Sequence, residues 1–257
     1  MCYGAKSMKH YLTLNYVLIL VLCSLATTAK ADSELVKDMI KFDQLYIPVL
    51  ALTSLGEVQG SRVAFASLEP VWLAFKNKYY SSSVNDPSWK KDFDKVNGYI
   101  KSSKNIRMKG TNLSQAHEQL EHVRVIFMGL RNRNGINYYI DHLTRFHEPM
   151  ENIVLTVKGK TADTLSNKDV DTIKQTLPGA IDLWHKASDS RFDANLYGFN
   201  KNKVKMLKST IKKEQTALMH LQQAIKENNK NRIIKTSLAI KPNFAKIFKA
   251  FGHFSEK

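Results

Sequence analysis

Four histidines fall within 31 residues, in the segments His117-Glu118-Gln119-Leu120-Glu121-His122 and His142-Leu143-Thr144-Arg145-Phe146-His147-Glu148-Pro149-Met150-Glu151. Each segment contains the pattern His-Glu-x-x-Glu. In a helix a spacing of four places His117 with Glu121, and His147 with Glu151, on one face. Imidazole nitrogen and carboxylate oxygen together suit Zn²⁺, Fe²⁺, Mn²⁺ or Cu²⁺ without a thiolate. The leading expectation is therefore one divalent transition metal held by His117, Glu121, His147 and Glu151. His122, His142, Glu118 and Glu148 would then serve as outer partners or as a second site. The competing reading makes these residues boundary histidines hydrogen-bonded to glutamates.

The pattern sets limits on the chemistry. It lacks the second histidine of His-Glu-x-x-His, so zinc-protease chemistry has no basis. It also reverses the Glu-x-x-His order used by di-iron helical bundles, which leaves a metal-dependent oxidase as a second alternative only. No Ser-His-Asp ordering, phosphate-binding Gly loop or dinucleotide fingerprint is present. Whether the chain is an enzyme is left open, with a non-enzymatic role as the leading expectation and the oxidase as the enzymatic alternative.

The elements that must position these residues are helices. Apolar residues recur at intervals of three and four almost throughout, and alternating strand patterns are missing. Helices are expected from about 33 to 55 and 57 to 80, and a third is opened by Asp86-Pro87 as N-cap and first-turn proline, with Trp89, Phe93, Val96 and Ile100 inward. A fourth starts at Thr111 or Asn112 with a seam of Leu113, Ala116, Leu120, Val123, Phe127 and Leu130. Residues 131–135 (RNRNG) form a tight turn, and a fifth helix runs from 136 to about 157. Arg131 and Arg133 at that tip read as a solvated turn, with anion binding as the lesser option.

In an antiparallel hairpin, residues equally far from the turn share one level. The pairs 117/151 and 121/147 both centre on residue 134. At about 100° per residue, His147 lies roughly 55° from the centre of its helix's apolar arc, Glu151 near 95°, His117 near 90° and Glu121 near 130°. His147 is thus nearly a core residue, and Glu121 would have to reach. Pro149 lies between the candidate ligands and is expected to kink the helix.

Beyond a polar stretch at 158–168 come three more helices, at about 169–186, 200–226 and 229–251. The last pair echoes the first hairpin. At an offset of 94 residues, Tyr139, Phe146, Met150, Ile153, Val154 and Val157 fall on Ile233, Ile240, Phe244, Ile247, Phe248 and Phe251. The fold class is all-α, an antiparallel bundle of about eight helices, elongated or two-lobed; the echo leaves open a duplicated hairpin and two amphipathic hairpins alike by construction. The organisation is 1–31 signal peptide, 32–157 bundle with the His/Glu cluster, 158–168 linker or hinge, and 169–257 basic subdomain.

The address is read from residues 1–31, where Lys6, Lys9 and His10 precede an apolar run from Val17 to Ala26 and the small-x-small site Ala29-Lys30-Ala31. Cleavage after Ala31 and a periplasmic or secreted location are expected, with no membrane span afterwards. Both cysteines, Cys2 and Cys23, lie in this leader. The remaining chain has none, which excludes covalent haem, an iron–sulfur cluster and a thiolate zinc site. Charge is uneven: residues 32–157 carry 16 basic and 14 acidic groups, residues 158–257 carry 20 and 9. This asymmetry gives the alternative function, a non-enzymatic interaction protein whose basic C-terminal half, 158–257, binds an anionic envelope partner. No nucleic-acid-binding signature appears. Oligomeric state is not legible.

Overall fold

The computed structural model of the chain describes residues 34–82, 85–108 and 112–254, so the expected leader lies outside the described residues. Among them run eight helices and no strand. They are α1 (34–54), α2 (Val58–Tyr79), α3 (Trp89–Met108), α4 (Leu113–Arg133), α5 (Tyr139–Val157), α6 (Asn167–Asp189), α7 (Lys201–Lys226) and α8 (Lys230–Lys249). The all-α expectation holds.

Local chemistry accounts for the boundaries. Asn112, Asn200 and Asn229 each accept a hydrogen bond from the backbone N–H three residues on, and Ser166 with Asp169 closes a capping box at the start of α6. Gly135, at φ +67°, takes the left-handed conformation just beyond α4 that only glycine adopts without strain. The third helix differs from expectation: Asp86 accepts from the Ser88 N–H at 2.9 Å in a turn, and α3 starts at Trp89. Pro149 sits inside α5, which is continuous through it.

Packing follows the apolar faces. The closest pairs are α3 with α4, α5 with α6 and α7 with α8; α8 also covers α5, and α7 covers α6. Phe42 of α1, Trp72 and Phe75 of α2, Phe93 of α3 and Phe127 of α4 form an aromatic nucleus with neighbouring ring centroids 5.2–6.4 Å apart. Phe146, Trp184 and Phe244 join α5, α6 and α8 in the same way. Buried apolar side chains from all eight helices form one contiguous cluster. The C-terminal segment closes back on α1, where the His253 N–H donates to the Gln44 carbonyl at 2.7 Å. Gly252 there lies so close to α1 that a Cβ would meet Ile47 at 2.8 Å.

One pair departs from the expected hairpin. Arg131 meets Asp141 near the turn and Glu121 meets His147 farther along, so α4 and α5 run antiparallel, yet they approach closely at few points. Two arginines of α4, Arg124 and Arg131, reach across to His147 and Asp141 of α5. Arg131, 2% exposed, is buried rather than solvated. Its Nε and Nη2 donate to the Asp141 carboxylate at 2.5–3.1 Å, and its guanidinium lies 4.2 Å from the Tyr138 ring centre. The Tyr138 hydroxyl donates to Asp43 of α1 at 2.7 Å. Arg133 pairs with Asp86 and Asp92, tying the end of α4 to the start of α3. Neither arginine is free to take an anion.

Removing one partner of a buried ion pair costs about 3–5 kcal/mol, whereas replacing both with apolar residues costs far less. Arg131→Met is expected to lose stability in that range in urea unfolding, and Arg131→Met with Asp141→Leu to recover most of it. A double variant no more stable than Arg131→Met would show that the arginine contributes by some route other than neutralising Asp141.

Candidate functional site

The structure brings the candidate ligands to one region and fills it with cations. His117, on α4, has Nδ1 3.1 Å from the Leu50 carbonyl oxygen and Nε2 3.3 Å from Glu121 Oε1. The other Glu121 oxygen pairs with Arg124, and His147 Nδ1 lies 4.0 Å from it. The Arg124 guanidinium also donates to His147 Nδ1, so that nitrogen already accepts a hydrogen bond from an arginine. Glu151 has turned to Lys241 of α8, at 2.7 Å. Of the remaining candidates, His122 stacks on Tyr99, His142 Nε2 lies 3.1 Å from the Ser190 hydroxyl, and Glu118 and Glu148 face solvent.

Among the described residues no group of three or more His, Cys, Asp or Glu side chains is placed to hold a metal ion. The metal-binding expectation for His117, Glu121, His147 and Glu151 is therefore overturned, and the oxidase alternative falls with it. The physical reason is competition. Arg124 offers Glu121 and His147 a permanent positive charge in place of a cation from solution, and Lys241 does the same for Glu151. Burial, with the adjacent Arg124 charge second, pushes His147 down to about 2. It is neutral, with Nδ1 as acceptor and the ring proton on Nε2. Arg124 lies one turn beyond Glu121 and two turns before Arg131, on the face of α4 turned toward α5, where a count of apolar periodicity passes over it.

A second constellation lies on α7. Lys201, Lys205, Lys208 and Lys212 follow each other at intervals of four, three and four, which confines them to an arc of about 60° on a helix. All four are exposed. The arc lies nearly opposite the buried face made by Leu207, Thr210, Glu214, Ala217, Leu218 and Leu221. These lysines line an open groove of about 630 Å³ together with Ala194, Asn195, Phe199, Val204 and Ser209. Among the described residues, the ion pairs of the C-terminal half are Lys160–Asp169, Lys186–Asp182, Arg232–Glu227 and Lys241–Glu151, none of which involves the four lysines. The charge count of the sequence shows the basic half; the four-three-four spacing is the signal within it that locates the stripe.

The only acid on α7 is Glu214. It is 0% exposed, neither carboxylate oxygen has a hydrogen-bond partner among the described residues, and burial pushes the carboxyl up to about 8 against a smaller opposing pull from Asn243. Compared with known protein families, curated proteins and solved structures, the chain has no significant match to any of them.

Two buried groups give the stability profile opposite slopes. Glu214 binds its proton more tightly folded than unfolded, so it costs nothing below about 4.5 and an increasing amount as pH rises to about 8. His147 binds a proton less tightly folded, so its contribution is complete above about 6.5 and is lost as pH falls toward 2. Glu214→Gln is expected to stabilise the protein at pH 8–9 by a few kcal/mol, with about 5 kcal/mol as the ceiling, and to leave pH 4.5 nearly unchanged. His147→Gln is expected to flatten the acid limb. Urea unfolding at pH 4 to 9 measures both; parallel profiles for wild type and Glu214→Gln would place the Glu214 titration elsewhere.

Proposed function

We propose that the chain is an exported, non-enzymatic interaction protein whose basic C-terminal half binds an anionic partner of the cell envelope, with the lysine face of α7 as the contact. The observation that carries this reading is the row Lys201, Lys205, Lys208 and Lys212, free of carboxylates among the described residues and set along an open groove. Like charges at helical spacings of three and four are mutually destabilising by about 0.2–0.5 kcal/mol per pair. Lys201 also stands in the first turn of α7, where the helix dipole disfavours a cation. The free protein thus bears a small cost that an anion on this face would remove. The exported location rests on the charged, then apolar, then small-residue composition of residues 1–31. No helix among the described residues is long and apolar enough to cross a membrane.

The variant with Gln at 201, 205, 208 and 212 separates this reading from an ordinary solvated surface, because binding and stability should move in opposite directions. Retention on three immobilised probes, linear polyphosphate, an acidic polysaccharide and phosphatidylglycerol vesicles, is expected for wild type on at least one of them. It should weaken steeply between 20 and 150 mM salt and drop at least tenfold in the variant. The variant should melt about 2–4 °C higher at low salt, matching about 1 kcal/mol of relieved repulsion. Wild-type protein that ignores all three probes would end the proposal. For the location, N-terminal sequencing of protein from the native host should begin at Asp32; intact Met1 would refute export by cleavage.

A further inference from the structure

The inward side of α7 differs in kind from its lysine face. Its buried positions run Leu207, Thr210, Glu214, Ala217, Leu218, Leu221 and Ala224, so the two in the middle of the helix are polar. The Thr210 hydroxyl donates to the Met206 carbonyl of its own helix at 2.9 Å, which leaves Glu214 as the group without a local outlet. Across the seam the Gln215 amide and the His185 ring meet at 3.1 Å, and this contact sets the neighbouring Glu214 and Trp184 at one level of α7 and α6. Trp184 Nε1 and Gln215 Oε1 are buried and, like both Glu214 oxygens, lack a hydrogen-bond partner among the described residues. No charged group of the flanking helices is turned to the carboxyl among those residues. On α6 His185 is held by Gln215 and Lys186 by Asp182; on α8 Lys241 is held by Glu151 and Asn243 is neutral; on α7 Lys213 is exposed.

We infer that the α6–α7 seam opens locally when Glu214 takes on its charge, with α7 pivoting on α8 while the rest of the bundle stays folded. α7 packs closely on α8 and only sparsely on α6. The His185–Gln215 contact is the one side-chain hydrogen bond between α6 and α7 among the described residues. α8 keeps its place without α7: Lys241 pairs with Glu151 of α5 at 2.7 Å, the Phe244 ring centre lies 5.8 Å from that of Phe146, and beyond the helix the His253 N–H is bound to α1. A buried carboxylate without a partner is costly, and lifting one sparsely held helix brings it to water at less cost than unfolding the bundle. The same movement offers water to Trp184 Nε1 and Gln215 Oε1. Closed, Glu214 keeps its proton up to about 8; open, it returns to the ordinary 4.5, so opening grows as pH rises between these values and levels off above them. The inward face alone carries this behaviour, whatever the lysine face binds.

Hydrogen exchange of the three indole N–H protons in the full chain, followed by NMR from pH 5 to 8 and corrected for intrinsic exchange, tests the opening with its own controls. Trp72 Nε1 donates to Asn97 and Trp89 Nε1 to the Tyr79 carbonyl, both in the first half, so they report unfolding of the bundle. Protection of Trp184 is expected to fall about tenfold or more over this range while Trp72 and Trp89 hold theirs. Glu214→Gln keeps the shape, removes the charge and should abolish the fall. His185→Ala, which cuts the cross-seam bond, should raise Trp184 exchange at every pH. Equal losses at all three indoles would mean that the bundle unfolds as a whole and would overturn local opening. Constant Trp184 protection in the wild type, or a fall that persists in Glu214→Gln, would remove Glu214 as the trigger. Unchanged Trp184 exchange in His185→Ala would move the opening away from this seam.

Discussion

Arg131 and Asp141 hold the arrangement from which the rest follows. One ends α4 and the other begins α5, both are 2% exposed, and between them stands the turn with its left-handed Gly135. The guanidinium cannot give up its charge, so the carboxylate is obliged to stay beside it. Tyr138, lying against the same guanidinium, carries the constraint on to Asp43 of α1. Asp43 is pushed up to about 6, because burial outweighs the pull of Arg131. Three helices are thereby referenced to one cation. Arg124, two turns earlier on the same face, repeats the device with Glu121 and His147. α4 and α5 meet at few points, these two arginines among them, and each helix finds its close neighbour elsewhere: α4 against α3, α5 against α6 and α8.

The same separation decides what the His/Glu cluster can be. Two imidazoles and two carboxylates in a gap lined by apolar helices would be short of positive charge and would welcome a metal. In this gap the charge is already supplied by the chain. A folded arginine three residues from Glu121 is present at unlimited effective concentration, while a metal ion must be taken from solution and must displace a charge-assisted hydrogen bond. The cluster is a part of the packing between α4, α5 and α8.

Helices and caps were legible because they are local: a three-four spacing, an asparagine before it and a glycine after it act within one or two turns. The seam Ala116, Leu120, Val123, Phe127 and Leu130 is buried as the periodicity requires, and Asn112, Asn200 and Asn229 cap where the pattern begins. The level argument also carried real geometry, since Glu121 and His147 do face each other. Pairing across the gap was not legible. Periodicity counts apolar residues, so an arginine on the inward face registers as an interruption rather than as the group that will neutralise the site. Lys241 is farther still: its meeting with Glu151 depends on α8 covering α5, ninety residues along the chain. The α7 stripe was local and readable, but a total of basic residues conceals the spacing that concentrates four of them on one arc.

Charge is handled differently in the two halves, and α7 shows why the difference matters. In the first half acids are spent on partners from other elements: Asp86 and Asp92 on Arg133, Asp38 and Glu34 on Lys78, Glu69 on Lys104. In the second half several are held by local turns, Asp169 in its capping box and Asp193 accepting from the Asn195 N–H. Seven lysines of α7 therefore answer to a single carboxylate, and Glu214 sits on the far side of the helix, about 150° round from the stripe. Burial keeps it protonated up to about pH 8. Over the neutral range the one acid of α7 is mostly protonated and lies on the far side of the helix, so little on the helix screens Lys201, Lys205, Lys208 and Lys212. A surface that merely needed solubility would intersperse the two signs. A helix whose one acid is held inward and neutral presents its whole positive field to the groove.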